Sequence, residues 1–144
     1  MSVLVMGMSH RTTPVEVLET VTLDRDAMGK ILDEVPASDH IGEAVIVSTC
    51  NRLELYADVA TFHGGLDEAG SILSAHTGVP LELLTPYLYV HYEDRAVAHL
   101  FHVASGLDSM VVGESQILGQ IRDAFRLAQT SGATGRVLTE LFQT

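Results

Sequence analysis

The sequence predicts an α+β fold, in which a ferredoxin-like sheet of βαββαβ order is followed by additional C-terminal helices. Four segments have the apolar runs or the alternation typical of strands, and helical periodicity separates the first strand from the second and the third from the fourth. From residue 95 onward the periodicity is mainly helical. At 144 residues the chain has the usual size of one domain.

The first third of the chain is predicted to contain one strand and two helices. Residues 3–8 form an apolar run typical of a central strand. A short helix is expected to begin at Pro14 with Thr13 as its N-cap, and a second helix is expected to follow Asp24 and to end at Pro36. The apolar face of the second helix consists of Ala27, Met28, Ile31, Leu32 and Val35.

The next two strands are predicted on either side of a polar corner, residues 48–52. Residues 45–47 are β-branched, which favours a buried strand. Residues 53–58 alternate between apolar and polar side chains, the pattern of a half-buried strand. The apolar positions are Leu53, Leu55 and Ala57, and the polar positions are Glu54, Tyr56 and Asp58.

The rest of the chain is predicted to hold one more strand among four helices. Residues 62–77 have helical periodicity that Gly78 ends, and after a connection over residues 80–86 the fourth strand covers residues 87–92. Two helices follow over residues 95–104 and 114–130, and a last one begins at Val137. On the first of these, one stripe consists of Val97, Ala98, Phe101 and His102.

Composition limits the classes of function. No apolar run is long enough to cross a membrane, so we expect no membrane association. A single cysteine cannot form an intramolecular disulfide, which favours a reducing, cytoplasmic location. The net charge of −11 argues against a general nucleic-acid surface, so an RNA partner would be held locally or by another part of the protein.

The corner between the two central strands is the strongest candidate site. It holds Cys50, the one cysteine of the chain, two residues before Arg52. A nearby positive charge favours the thiolate, which is the reactive form of cysteine. A lone cysteine is also often a buried structural residue. The local pattern leaves both interpretations open.

Two further features are weaker candidates. His99 and His102 have the spacing of neighbours on one helix face, but no third ligand follows at a suitable spacing, and we expect no metal. Residues 104–116 form a glycine-containing connection that leads into a helix N-terminus, where an anionic ligand could bind. An ordinary capped loop explains the same pattern, and no nucleotide-binding fingerprint is present.

Three segments together resemble glutamyl-tRNA reductase, and the resemblance extends over essentially the whole chain. They are Gly7–Pro14, Ser48–Arg52, and His99 followed by residues 104–120. The resemblance is to the N-terminal catalytic domain alone. It implies that the NADPH-binding and dimerisation domains of the family are absent from these 144 residues.

The resemblance implies an activity, with one step performed by this chain and another by a domain that is missing from it. Cys50 would attack the ester of glutamyl-tRNA and form a thioester, which NADPH bound by the missing domain would reduce to glutamate-1-semialdehyde in the first step of tetrapyrrole (porphyrin, haem) biosynthesis. The chain alone would therefore not complete the reduction. The full-length protein would be a homodimer and would have a downstream aminomutase as a possible partner.

The resemblance also implies roles for individual residues. His99 joins Cys50 as a catalytic residue that manages protons or positions the substrate. Arg52 would bind the glutamate carboxylate in bidentate fashion, and its charge would also favour the Cys50 thiolate. Ser9 and His10 would border the pocket. The substrate-binding set is Thr49, Asn51, Arg52, Ser109, Glu114, Ser115, Gln116 and Gln120.

Two other classes of function remain open. A different cysteine-dependent acyl hydrolase could use Cys50 with His99 as its base, but it would not need the long motif over residues 104–120. A non-catalytic ferredoxin-like binding module is the second alternative. In that case Cys50 should be buried and unreactive.

Overall fold

The computed structural model of the chain describes residues 2–105 and 116–143. Its four strands form one antiparallel sheet in the order β2-β3-β1-β4. The strands are β1 Ser2–Ser9, β2 Ile41–Ser48, β3 Arg52–Val59 and β4 Tyr89–Tyr92. The helices are α1 Val15–Val21, α2 Arg25–Glu34, α3 Phe62–Thr77, α4 Leu81–Leu84, α5 Asp94–Ala104, α6 Gln116–Thr130 and α7 Arg136–Phe142. The predicted combination of four strands with several helices is confirmed.

The end of β1, the end of β2 and the start of β3 lie at the same end of the sheet. β1 lies between β3 and β4, which confirms that the first strand is central. Ser9 at the end of β1 pairs with Arg52 at the start of β3, and Ser48 at the end of β2 pairs with Leu53. The loop after β1 and the corner between β2 and β3 therefore lie side by side.

Most helix ends follow the local sequence. The Asp24 side chain accepts a hydrogen bond from the Ala27 backbone N–H at 2.8 Å and caps α2. Gly78 ends α3 with a φ of 77°, in the left-handed region that glycine adopts most readily. The predicted Thr13 cap is wrong, because Pro14 itself occupies the N-cap of α1 and no side chain caps that helix.

The connection between α3 and the fourth strand is more ordered than the sequence predicted. Residues 80–86 were predicted as a plain connection, yet they include α4, whose first turn follows Pro80. A 3₁₀ turn at Thr85–Tyr87 then delays the strand, so β4 begins at Tyr89. Proline favours such helical starts because its φ is already fixed near the helical value.

The prediction that β3 is half-buried is wrong, because every residue of the strand is buried. On one face, the side chain of Val59 lies directly under Gly65 of α3. On the other face, the ring of Tyr56 contacts Phe142 of α7 edge-on, with 5.4 Å between ring centroids. Helices therefore cover both faces, and the polar side chains of β3 face a helical layer instead of solvent.

The predicted stripe of α5 is also on the wrong side. The buried residues of this helix are Ala96, Leu100 and Val103, whereas Phe101 and His102 are exposed. Positions i, i+4 and i+7 form a stripe that is as apolar as the predicted one, and it is this stripe that packs inward. As a result, Arg95 and His102 of α5 lie at the surface.

A buried carboxylate attaches the last helix to the sheet. Glu43 of β2 accepts hydrogen bonds from the backbone N–H groups of Gly135, Val137 and Leu138, at 2.6, 3.2 and 2.9 Å. These are donors that the first turn of α7 cannot satisfy by itself. Negative charge at a helix N-terminus is also favourable to the helix dipole.

The sequence pattern predicts the buried face of α6 except at Leu118, which belongs to the predicted apolar stripe but is exposed. The buried face consists of Ile117, Ile121, Ala124, Phe125 and Ala128. Among the described residues, no helix combines the length and the apolar character that crossing a membrane requires.

Candidate functional site

The polar corner between β2 and β3 is a tight turn with Cys50 exposed at its tip. The Thr49 backbone N–H donates to the Arg52 carbonyl at 2.9 Å, and the Asn51 N–H donates to the Thr49 hydroxyl at 3.1 Å. From the neighbouring loop, the His10 backbone N–H donates to the Asn51 carbonyl at 2.9 Å. The thiol is thus accessible on a fixed turn. A buried structural cysteine, which the sequence left open, does not describe this structure.

Arg52 begins β3 and is buried with a carboxylate. Its side chain is 1% exposed, and Nη1 lies 3.4 Å from Oε2 of Glu54, which is 0% exposed. Both side chains belong to the polar face of β3, because residues two apart on a strand point to the same side. An unpaired guanidinium at this depth would be costly, and Glu54 supplies a buried counter-charge for it.

Glu54 is the centre of a hydrogen-bond network that the sequence prediction missed. Besides Arg52, it contacts the Tyr56 hydroxyl at 2.9 Å and also accepts from the Tyr89 hydroxyl and from Nε2 of His99. These partners come from three elements, β3, β4 and α5. One buried carboxylate therefore connects the start of β3 to the predicted catalytic histidine.

The charge state of the network follows from its partners. Burial by itself raises the pKa of Glu54, but the hydrogen bond and charge of His99, the charge of Arg52 and the Tyr89 hydroxyl outweigh it and hold that pKa below its usual value. Burial, followed by the charge of Glu54 and its hydrogen bond, raises the pKa of Tyr56 well above the usual value. At neutral pH, Glu54 is therefore a carboxylate and Tyr56 a neutral donor.

An ionised Glu54 fixes the orientation of His99. A carboxylate can only accept hydrogen bonds, so Nε2 of His99 must carry the proton that it shares with Glu54. The ring is held further by His91, which stacks on it with 4.4 Å between centroids and an interplanar angle of 27°. In the neutral form of His99, Nδ1 is left as a proton acceptor.

Gly7 makes room for this network. It pairs with Glu54 on one side and with Tyr89 on the other. A Cβ at Gly7 would lie 2.8 Å from Cγ of Glu54 and would also collide with the Leu53 carbonyl oxygen. Glycine inside a central strand often marks such a close approach, and this is the signal from which the network could have been suspected.

On another side of the corner, Thr49 and Gln120 line one small groove. The groove has a volume of about 150 Å³ and lies between α2, the end of β2 and α6. Arg25 and Asp123 supply its charged lining. The structure thus brings together two of the predicted substrate-binding residues that are 71 positions apart in the chain.

The remaining predicted site residues are placed only in part. Ser109, Glu114 and Ser115 lie outside the described residues, and Gln116 begins α6 without a described side chain. Ser9 is buried, and its hydroxyl accepts from the Arg11 backbone N–H at 3.3 Å, so it shapes the loop after β1. Among residues 2–105 and 116–143, no group of three or more His, Cys, Asp or Glu residues is positioned to hold a metal ion.

Comparison with known proteins gives consistent matches. Residues 6–144 match the family described as glutamyl-tRNAGlu reductase, N-terminal domain. Glutamyl-tRNA reductase from Streptomyces avermitilis is 60% identical over 143 residues, which is 99% of this chain and 25% of that protein. The corresponding protein from Streptomyces coelicolor is 59% identical over the same shares of both chains.

A solved structure agrees with these matches. Glutamyl-tRNA reductase from Methanopyrus kandleri superposes with a TM-score of 0.73 and 30% identity, over 98% of this chain and 31% of that chain. The chain thus spans about a quarter of the length of the Streptomyces relatives that it matches.

Proposed function

We propose that the chain, which belongs to the family of glutamyl-tRNA reductase N-terminal domains, accepts the glutamyl group of glutamyl-tRNA as a thioester on Cys50. The observation that supports this most strongly is the exposed thiol on a hydrogen-bonded turn, beside a buried network of ionisable groups. A thiolate on rigid elements can attack the ester carbonyl without first reorganising the protein.

The proposed step has a simple balance of bonds and protons. The Cys50 sulfur forms a bond to the glutamyl carbonyl carbon, and the bond from that carbon to the ribose oxygen of the RNA breaks. The ribose oxygen leaves with the electron pair and takes up a proton. NADPH, held outside this domain, would supply a hydride to the thioester carbon; the carbon–sulfur bond would break, and the sulfur would leave with the electron pair and take up a proton from solvent, giving the aldehyde and the Cys50 thiol.

We propose that His99 transfers that proton. Its Nε2 proton is held by the Glu54 carboxylate, so a proton can be exchanged only through Nδ1. Glu54 acts here as a positioning residue, because it sets the tautomer and the orientation of the imidazole. The carboxylate also stabilises the imidazolium that forms whenever Nδ1 takes up a proton.

Arg52 is the proposed partner of the substrate's side-chain carboxylate, and its burial constrains that role. The guanidinium has five N–H donors, and one end is already paired with Glu54. The substrate carboxylate would therefore share Arg52 with Glu54. The rest of the proposed glutamate pocket is formed by Thr49, Asn51, Ser109, Glu114, Ser115, Gln116 and Gln120, and the shared groove of Thr49 and Gln120 supports this set.

Other parts of the proposal concern the rest of the protein. Because the chain covers only 25% of its Streptomyces relatives, we propose that NADPH binding and dimerisation belong to segments outside this domain, and that a downstream aminomutase receives the aldehyde. We also propose a cytoplasmic location, from the single cysteine. The strand order β2-β3-β1-β4 supports the ferredoxin-like description of the sheet.

The proposal is tested by single-turnover cleavage of glutamyl-tRNA with the chain in excess. We expect wild-type protein to release the RNA, Cys50→Ala to release none above the uncatalysed rate, and His99→Asn to be slow. Arg136→Gln, which changes an exposed residue of α7, is the matched control and should cleave normally. Addition of NADPH should yield no aldehyde. Equal cleavage by Cys50→Ala and wild type would contradict the proposal.

A further inference from the structure

A second concavity opens beside His99, lined by residues of β4 and α5. It has a volume of about 400 Å³ and we call it the histidine cavity, defined by His91, Arg95, Ala98, His99 and His102. Four of these residues have the spacing i, i+3, i+4 and i+7 and so share one face of α5. His91 comes from β4, and its ring is stacked on that of His99.

The lining of the histidine cavity is unusual for this protein. The whole chain has 19 acidic and 8 basic residues, yet no carboxylate is among the described residues that line the cavity. Arg95 supplies a positive charge and N–H donors to this lining, and His91 and His102 add ring nitrogens, whereas the Nε2 proton of His99 is held by Glu54. A guanidinium binds phosphate oxygens with charge-assisted hydrogen bonds, and a histidine N–H can donate to them as well.

The imidazoles of His91 and His99 form one wall of the same cavity, and the Tyr89 ring, which is not part of the lining, supports both. Tyr89 lies 5.3 Å from His91 and 5.2 Å from His99 between ring centroids, so the three rings pack against one another. Unpaired bases of single-stranded RNA stack on such rings, and each stacked base contributes roughly 1–3 kcal/mol. A phosphate-binding group next to a stacking surface suits one nucleotide of a single strand.

We propose that the histidine cavity binds a phosphodiester and an adjoining base of the single-stranded 3′ end of the RNA substrate. This rests on the proposed function, in which the ester under attack is carried by the terminal ribose. His99 would then contact both regions, with Nε2 on Glu54 and its ring edge on the cavity. Local RNA binding of this kind is compatible with the acidic charge of the rest of the chain.

The test measures binding of a fluorescent RNA hairpin with a short single-stranded 3′ end as a function of salt. Each phosphate of a single strand that a basic side chain neutralises contributes about −0.7 to the slope of log K against log[salt], where K is the association constant. Loss of one such contact therefore makes the slope shallower by about 0.7. Arg95→Gln should therefore bind the hairpin more weakly than wild type. The ratio of the wild-type affinity to the variant affinity should fall by roughly 2.6-fold between about 50 mM and about 200 mM salt. His102→Asn should show a weaker change in the same direction.

Two controls make the result specific. Arg136→Gln removes the same charge from an exposed position on α7 and should leave the slope unchanged. A blunt hairpin that lacks the single-stranded end should bind Arg95→Gln and wild type equally. Equal losses for Arg95→Gln and Arg136→Gln, an Arg95→Gln deficit that persists with the blunt hairpin, or no binding of either RNA by wild type would overturn the proposal.

A small glutamyl ester without RNA separates this proposal from the proposed function. Arg95→Gln should acylate Cys50 with this ester at the wild-type rate, although it binds the hairpin more weakly. If Cys50 is not acylated by any ester while the hairpin results hold, the proposed function fails and the RNA-binding site stands. If Arg95→Gln instead weakens binding of NADPH and not of the hairpin, the proposed ligand is wrong.

Discussion

Replacing Glu54 by glutamine tests how much of the site depends on one buried carboxylate. The substitution keeps the shape of the side chain but removes its charge and converts one acceptor oxygen into an N–H₂ donor. In the wild type, Glu54 faces four donors, on Arg52, Tyr56, Tyr89 and His99. The glutamine amide cannot accept from all of them.

The expected loss of stability follows from the Arg52 pair. Both side chains are essentially inaccessible, so the variant removes a buried counter-charge that lies next to the guanidinium. Removing one partner of a buried pair typically costs about 3–5 kcal/mol. We expect the free energy of unfolding of Glu54→Gln to be lower than that of the wild type by this amount at neutral pH.

The assay is urea unfolding of both proteins across a range of pH. The pKa of Glu54 in the folded protein is below its value in the unfolded chain, so the carboxylate contributes stability that is fully present above the unfolded pKa. This contribution is lost as the pH falls through the folded pKa. The difference between Glu54→Gln and wild type should therefore be largest near neutral pH and should narrow in acid.

Two further variants keep the test interpretable. Glu34→Gln removes an exposed carboxylate that pairs with His76 at 3.2 Å, and it should change stability by less than about 1 kcal/mol. Tyr89→Phe removes a single donor from the network and should cost only about 1 kcal/mol. A Glu54→Gln protein that is as stable as Glu34→Gln at neutral pH would refute the account of the network.

Three other substitutions test separate parts of the structure. Glu43→Gln should lower the free energy of unfolding by about 1–2 kcal/mol in urea titrations, because one carboxylate serves three backbone N–H groups of α7; an unchanged midpoint would contradict this. Gly7→Ala should cost about 1–3 kcal/mol or more by overpacking, whereas Gly29→Ala, with nothing within 4 Å of its new Cβ, should be neutral or stabilising. Arg52→Lys should slow single-turnover cleavage of glutamyl-tRNA by roughly tenfold or more, since lysine keeps the charge but loses the bidentate fork. Wild-type kinetics for that variant would remove the proposed role of Arg52.

The local elements were predictable where one signal dominated. The cap at Asp24, the glycine after α3 and the apolar run of β1 are each read from a few neighbouring residues. Such signals depend on backbone geometry and on burial of one face. They predicted α2, α3 and β1 close to their observed bounds, whereas β2, predicted from residues 45–47, begins at Ile41.

The polar face of β3 was not predictable from the same signals. Glu54 and Tyr56 alternate with leucines, and alternation ordinarily means that the polar side chains reach solvent. Whether they do so depends on which helices return to that face, and these helices follow β3 by more than 30 residues. Distant packing therefore decided the environment of Glu54, and with it the position of His99.

The candidate site was predicted at Cys50, Arg52 and His99, but its buried centre, Glu54, was missed. Cys50 was identified because it is the one cysteine of the chain and lies near Arg52. His99 was a weak candidate from its spacing to His102, and only the resemblance gave it a catalytic role. The link between Cys50's turn and His99 runs through Glu54, which carries no local sign of its role except Gly7 in the neighbouring strand.

The most direct test of the central claim is mass spectrometry of the chain after brief incubation with glutamyl-tRNA and acid quenching. We predict a glutamyl adduct on the peptide that contains Cys50, released by hydroxylamine as a thioester would be and absent from Cys50→Ala. Arg136→Gln should give the same adduct as the wild type. An adduct on another residue, or cleavage of the substrate with no adduct at Cys50, would contradict the account.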